Sequence, residues 1–178
     1  MTLRITLISP EHEDFILEFK TDADASFADL HQLILRHCGY EELPGQRFLI
    51  CDDSWKPIQR ILLDDEENNS IDEDIYLMAD TRLGEFLEDE RQRFIYVFEP
   101  EERRKFLLEL TEITFSDPVP QAGLLTRHHG TPPAQFFIEE EPAEATPTVQ
   151  TEEPEEKFYG EDGFEEEDLD LEGFDILE

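Results

Sequence analysis

Proton transfer, nucleophilic attack and metal binding all start from a short list of side chains, and this chain holds few of them in useful arrangements. It has five histidines and two cysteines in 178 residues. His31 and His37 stand six apart in one helical pattern, which sets them on different faces. His128 and His129 are adjacent in a Pro- and Gly-containing stretch, where they read as polar loop residues. Cys38 and Cys51 have no Cys-x-x-Cys spacing, so a zinc knuckle fails on ligand count. Each ends an apolar segment, as buried cysteines often do.

Other motifs fail in the same way. The eight glycines are scattered and form neither of the usual phosphate-cradling loops. Ser26 reads as a helix cap, and no Gly-x-Ser-x-Gly elbow is present. A calcium loop beginning at Asp64 would put Asn69 where glycine is needed and Ile75 where the bidentate Glu belongs. Carboxylates are too abundant for any pair to single itself out as a glycosidase dyad. The expectation is a protein with no recognisable catalytic constellation, no cofactor and no metal site.

Two residues stay open to a functional role. His31 reads either as helix surface or as facing a groove beside the sheet. Trp55, the only tryptophan, follows Asp52 and Asp53 at a strand end. It reads either as core or as a half-exposed anchor.

The elements that position these groups follow from periodicity. Leu3, Ile5 and Leu7 alternate with polar residues, as do Phe15, Leu17 and Phe19. These are two strands joined by a polar turn. Ser26 with Asp29 forms a capping box, and Phe27, Leu30, Leu33, Ile34 and Cys38 recur at helical spacing up to Gly39. Strands are expected at 47–51, 61–63 and 75–78, with a solvated acidic loop at 64–74. A short helix over 81–88 should turn Leu83, Phe86 and Leu87 inward. Residues 94–98 are apolar throughout, which predicts a central strand covered on both faces. A strand over 105–115 pairs with it through a turn at 99–104. The centre of the core should hold Ile5, Leu7, Leu17, Leu30, Ile34, Phe94, Tyr96 and Leu108.

The predicted class is α+β: a mixed, mostly antiparallel sheet with one main helix, opening as a β-grasp-like ββαβ. A domain is expected over 1–138, with its core in 1–115 and a Pro/Gly loop at 116–138. Residues 139–178 should be a disordered acidic tail.

Charge limits the partners. There are 47 Asp+Glu against 14 Lys+Arg, a formal net charge of −33. Such a chain is repelled by nucleic acid and by anionic membranes, so neither is expected as a direct partner. The basic cluster 103–105 follows three glutamates and reads as a hairpin turn. No apolar run approaches the ~20 residues that span a bilayer, and no leader pattern opens the chain, so the expected location is the cytoplasm. The tail carries 18 Asp+Glu and one Lys, yet Phe158, Tyr159, Phe164, Leu169, Leu171, Phe174, Ile176 and Leu177 punctuate it. Such interleaving suits docking on a basic, grooved protein, with Phe164, Phe174 and Leu177 as anchors. A solubilising tail, or one folded back on its parent domain, is the alternative.

The segment Ser26-Phe27-Ala28-Asp29-Leu30-His31 with Ile34, Leu35 and Gly39 resembles a Thr-x-x-Asp-Leu-His helix. Tyr96-Val97-Phe98 resembles an aromatic strand, and Gly130-Thr131-Pro132-Pro133 a late Pro-Pro loop of the same family. That family is the plasmid pRi-type ORF-three-like proteins, also labelled passenger TnpR-like proteins of insertion elements. The segment 51–55 and the acidic end resemble an acidic branch of it. The resemblance covers roughly residues 1–138 and implies a bacterial, mobile-element-associated protein of unknown function. Many relatives carry Asp-Phe-Gly-Asp-x-Trp after the aromatic strand. Here only Phe98 matches, and Glu99-Pro100-Glu101-Glu102-Arg103-Arg104 follows. Three function classes remain open: a protein-interaction module, an acidic mimic of nucleic acid, and an enzyme with an unrecognised site.

Overall fold

Alternation of apolar and polar side chains makes strands, and the computed structural model shows where they pair. It describes residues 1–65, 74–115 and 118–137. The elements are β1 (Thr2–Ile8), β2 (Ile16–Asp22), α1 (Phe27–Cys38), β3 (Arg47–Cys51), β4 (Pro57–Leu62), β5 (Tyr76–Leu77), β6 (Arg93–Glu99), β7 (Arg104–Thr114) and β8 (Leu124–His129). They form one sheet in the order β5-β4-β3-β6-β7-β1-β2-β8. The β4–β5 pair is parallel and the other pairs are antiparallel. The class is therefore α+β, with a mostly antiparallel mixed sheet and one main helix. Met1–Phe137 form a compact unit. The expected disordered tail, with Phe164, Phe174 and Leu177, lies outside the described residues, as does most of the expected 64–74 loop.

Helix α1 begins as its sequence dictates. Ser26 Oγ accepts from Asp29 N–H at 3.1 Å, and the Asp29 carboxylate accepts from Ser26 N–H at 2.9 Å. This reciprocal pair satisfies donors that a helix start leaves orphaned. Gly39 ends the helix at φ 70°, a left-handed conformation that costs glycine little. Phe27, Leu30 and Ile34 face the sheet and are buried. The eight residues expected at the core centre are all at most 1% exposed. Each such side chain stabilises the fold by ~1.5–3 kcal/mol relative to exposure. Aromatic rings fill the space between: Phe27 lies 5.3 Å from Phe48, and Phe48 4.8 Å from Tyr96, centroid to centroid.

β6 is fourth in the order, and both its faces are buried. The turn into β7 is built around Glu99. Glu99 accepts backbone N–H groups from Glu101 and Glu102, and Arg103 adopts φ 58°. The short helix expected over 81–88 is one 3-10 turn, Leu83–Glu85. Leu83 and Leu87 are buried as expected, while Phe86 is only half-buried.

The stretch 116–138 corrects the expectation of a loop. β8 lies within it and pairs antiparallel with β2 at the sheet edge. Its Leu-Leu-Thr-Arg-His-His lacks apolar alternation, and only Leu125 packs on the main core. Backbone pairing therefore makes this strand, and no side-chain pattern announces it. Gly130 closes it at φ 77°, where a Cβ would lie 2.4 Å from the Asp14 carbonyl. The residues beyond are latched down by Arg104. Its guanidinium donates to both Glu11 carboxylate oxygens, at 2.9 and 2.7 Å, and to the Gln135 carbonyl at 2.7 Å. Rings of Phe98 and Phe137 lie 5.0 and 4.3 Å from it. The Tyr40 hydroxyl donates to the Pro133 carbonyl.

Candidate binding face

A sheet has two sides, and α1 occupies one. Strand register shows what the other side carries. Leu49 of β3 sits opposite Ile95 of β6, which sits opposite Leu107 of β7. Leu107 sits opposite Ile8 of β1, and Ile8 opposite Ile16 of β2. Five neighbouring strands thus each contribute one aliphatic residue to a single row. Strand spacing makes this stripe roughly 19 Å long, at ~4.8 Å per strand. Ile95 is buried within it, Leu49, Leu107 and Ile16 are half-buried, and Ile8 is 42% exposed.

Charged rows flank the stripe. On one side Arg47 and Lys105 bracket Val97 across β3, β6 and β7. On the other run Arg93, Glu109, Thr6, Glu18 and Arg127. Arg93 pairs with Glu109 at 3.8 Å, Arg127 with Glu18 at 3.7 Å, and Arg4 with Glu112 at 3.2 Å. Arg60 lies beside Leu49 at one end, and Lys20 opposite Arg4. Seven of the chain's 14 basic residues lie on this face. Glu18, Asp22, Glu109 and Glu112 oppose them, and Glu99 is engaged in the hairpin turn. On the strands of this face seven bases therefore meet five acids, Glu99 included, within a strongly acidic chain.

Trp55 stands at the edge of this face. A turn puts it there: Asp52 Oδ1 accepts from Ser54 N–H, Ser54 Oγ–H and Lys56 N–H, and Trp55 takes φ 64°. These donors hold the Asp52 carboxyl below its ordinary range. Trp55 is half-buried against Cys51, Ile95 and Val97, and the Arg93 guanidinium lies 5.2 Å from its ring centre. Arg93 also donates to the Asp53 carbonyl. Trp55 is thus partly buried at the sheet's open side and is not part of the main core between sheet and helix.

His31 is neither helix surface nor groove-facing. It is 1% exposed, between sheet and helix. The Tyr96 hydroxyl lies 2.8 Å from Nδ1, and Glu42 Oε2 lies 3.0 Å from Nε2. A carboxylate only accepts, so Nε2 carries the proton and Nδ1 accepts from Tyr96. This neutral tautomer satisfies all three groups. Burial, opposed by Glu42, holds the imidazole below its ordinary pKa. The cluster is a buried polar network, with Tyr96 at 0% and His31 at 1% exposure.

The two cysteines are withdrawn as well. Burial pushes the Cys38 thiol up to about 12, and burial with Asp52 nearby pushes Cys51 up to about 11. Neither is a ready thiolate. Among the described residues, no three His, Cys, Asp or Glu side chains gather as metal ligands. Two open depressions of about 350 and 360 Å³ are lined by Asp22, Asp24 and Arg82 and by Asp65, Tyr76 and Glu85, away from His31 and Trp55. No helix among the described residues is long and apolar enough to cross a membrane.

Sequence reasoning found Trp55 but missed the stripe beside it, whose five members come from five strands. The one available signal was β6, read as covered on both faces, which leaves open what covers its outer side. Glu42 and Arg104 were also missed, because their roles depend on partners distant in sequence.

A family model described as plasmid pRiA4b ORF-3-like protein matches residues 1–175, reaching beyond residue 138. No curated protein matches the chain. Among solved structures, the chain is similar to the crystal structure of the protein of unknown function MM3350 from Methanosarcina mazei Go1. The TM-score is 0.51 and the identity 12%, over 71% of this chain and 68% of that one. At that identity the likeness concerns the fold alone.

Proposed function

The chain belongs to the plasmid pRiA4b ORF-3-like family, and on that premise we propose that it is a non-enzymatic protein-interaction module. The observation that supports this best is the aliphatic stripe from Leu49 to Ile16 on the open side of the sheet. A continuous apolar row with a charged rim is the composition of a protein interface, with an apolar centre and polar edges. Trp55 and Arg93 at its edge are residue types that supply binding energy. The acidic segment with Phe164, Phe174 and Leu177 is a second binding element, one suited to a basic protein surface. The β-grasp-like element order of the opening ββαβ bears on fold and carries no activity.

Mimicry of nucleic acid finds less support. Carboxylates on the open face alternate with arginines and pair with them, so they form no phosphate-like row.

The test compares capture from a cell lysate by three chains: the full chain, Ile8→Lys, and a chain ending at residue 156. Quantitative mass spectrometry should find a defined partner with the full chain and lose it with at least one variant. Identical capture by all three would defeat the interaction reading. Turnover of any substrate requiring His31 or Tyr96 would return the enzyme reading.

A further inference from the structure

Residues 131–137, Thr-Pro-Pro-Ala-Gln-Phe-Phe, have no regular secondary structure, yet they form a strap held against the domain by specific contacts. Pro133 and Gln135 are buried, whereas Thr131, Ala134, Phe136 and Phe137 are exposed. Insertion of alternate side chains is how an extended peptide ligand sits in a cleft. We propose that this cleft is a recognition site for an extended Pro-x-Gln-x-Phe segment, filled here by the chain's own strap, and that a partner protein carrying the same pattern takes the strap's place. The cleft shares no residue with the aliphatic stripe, so the two binding surfaces stand or fall separately.

The backbone of the strap is read at alternate carbonyls. The Thr131 carbonyl accepts from His12 Nδ1 at 3.0 Å, the Pro133 carbonyl from the Tyr40 hydroxyl, and the Gln135 carbonyl from Arg104 Nη1 at 2.7 Å. A carbonyl only accepts, so the His12 proton sits on Nδ1. The prolines prepare the segment for these donors. Thr131 and Pro132 each precede a proline, which restricts both to extended backbone, and each proline fixes its own φ. Less entropy is then lost on docking, which is how Pro-rich ligands bind aromatic-lined grooves. Tyr40 is braced for this role. Its ring stacks on Phe106 at 5.9 Å and lies 5.0 Å from Phe98.

Gln135 supplies the side-chain reading. Its Nε2 donates to the Glu41 carbonyl at 2.7 Å, and its Oε1 accepts from the Glu41 N–H at 2.7 Å. A carboxylate cannot donate, so Glu in that place would set acceptor against acceptor. Gln46 fixes the Glu41 carbonyl from within the domain, donating to it at 3.2 Å and to the Phe98 carbonyl at 2.8 Å. The Phe137 ring then lies 4.3 Å from the Arg104 guanidinium. Glu11 answers the charge of Arg104, so the cleft takes an uncharged ligand, and residues 131–137 carry no charge. The strap is also replaceable. Phe136 and Phe137 remain 50% and 67% exposed, so hydrogen bonds more than buried rings hold it. An equivalent segment can make the same bonds.

The experiment follows the fluorescence anisotropy of a labelled synthetic peptide of residues 131–137 with two full-length chains. One is unmodified. The other is the strap variant Pro132→Gly, Pro133→Ser, Gln135→Ser, Phe137→Ser, which leaves Tyr40, Glu41 and Arg104 in place. Circular dichroism verifies that both are folded. The peptide should bind the strap variant saturably, at least about tenfold tighter than the unmodified chain, whose tethered strap competes at a millimolar effective concentration. High salt should change this binding less than about twofold, because the contact is uncharged. Gln135→Glu in the peptide should abolish it, and Tyr40→Phe added to the strap variant should weaken it several-fold. Equal binding by the two chains, or equal binding of the Gln and Glu peptides, would overturn the proposal. A strap variant that fails to fold would overturn it too, by making residues 131–137 part of the core. Amide exchange of the unmodified chain gives a second readout. The Glu41 N–H should exchange by local opening, ahead of the amides of β6. Exchange of both only on global unfolding would show that the strap is not displaceable.

Discussion

The two faces of one sheet use the same strands for opposite ends. On the helix side, alternate positions are filled by Phe19, Phe48, Phe94, Tyr96 and Phe106, all at 0% exposure. On the open side the intervening positions carry smaller aliphatics in one row, with charged residues above and below. The first face holds the fold together through buried area. The second contributes less, because its ion pairs are largely exposed and such pairs are worth about 0–1 kcal/mol. It still holds a small buried cluster, Cys51, Ile95 and Val97, with Leu49, Trp55 and Leu107 packed against it. The difference separates a large buried aromatic core from a small, partly exposed aliphatic row.

That separation is open to direct attack. The largest effect should come from a charge on the helix side. Leu30→Asp places a carboxylate at a site 1% exposed, within the apolar core. A loss above ~4 kcal/mol is expected for this class of change, enough to unfold the domain, and thermal melting would reveal it. Normal stability would break the comparison at its root.

Next comes Arg104, where the latch holds residues 131–137. Arg104→Ala removes a bidentate pair and a carbonyl contact. Because Glu11 is partly exposed, the cost should fall to roughly 2–3 kcal/mol rather than that of a fully buried pair. Urea denaturation would measure it, and amide exchange should show β8 opening first.

A third test is pH. His31 is held below its ordinary pKa by burial, and the half-buried His37 is shifted the same way by burial, Arg36 and His128. The unfolded chain therefore binds more protons below about pH 6.5. Stability should be fully present above that pH and fall as pH drops towards the folded-state values, with a slope of at most about 1.4 kcal/mol per pH unit for each histidine. Urea titrations from pH 7.5 to 5 check this, and His31→Gln should flatten the slope. A slope unchanged by that substitution would remove His31 from the account.

The smallest effect should lie on the open face. Ile8→Lys should change folding stability by no more than about 0.5 kcal/mol while abolishing capture of a partner. A large destabilisation there would show that the open face also supports the fold, and the contrast would fail.

The helix side was legible because its signals are local. Ser26, Asp29 and Gly39 mark both ends of α1 within one segment, and Leu3, Ile5 and Leu7 declare their face by period two. The open side was not, because Ile8, Ile16, Leu49, Ile95 and Leu107 become a row only once five strands are in register. β8 escaped for a related reason: its partner is β2, more than a hundred residues earlier, and its own side chains show no alternation. His31 was misplaced because its burial depends on Tyr96, 65 residues away. Local chemistry writes caps and periods; register is a property of the assembled sheet.

The strand order also carries a consequence for synthesis. β1 lies between β2 and β7, so its second neighbour arrives roughly 80 residues after β2 is complete. At ~5–20 residues per second, the growing chain holds an unmatched β1 edge for roughly 4–16 s. Throughout that interval the amino-terminal hairpin is a ready template for another nascent chain. A newborn molecule of this protein is therefore most vulnerable to misassembly on the ribosome, before Arg104–Thr114 has emerged to close the sheet.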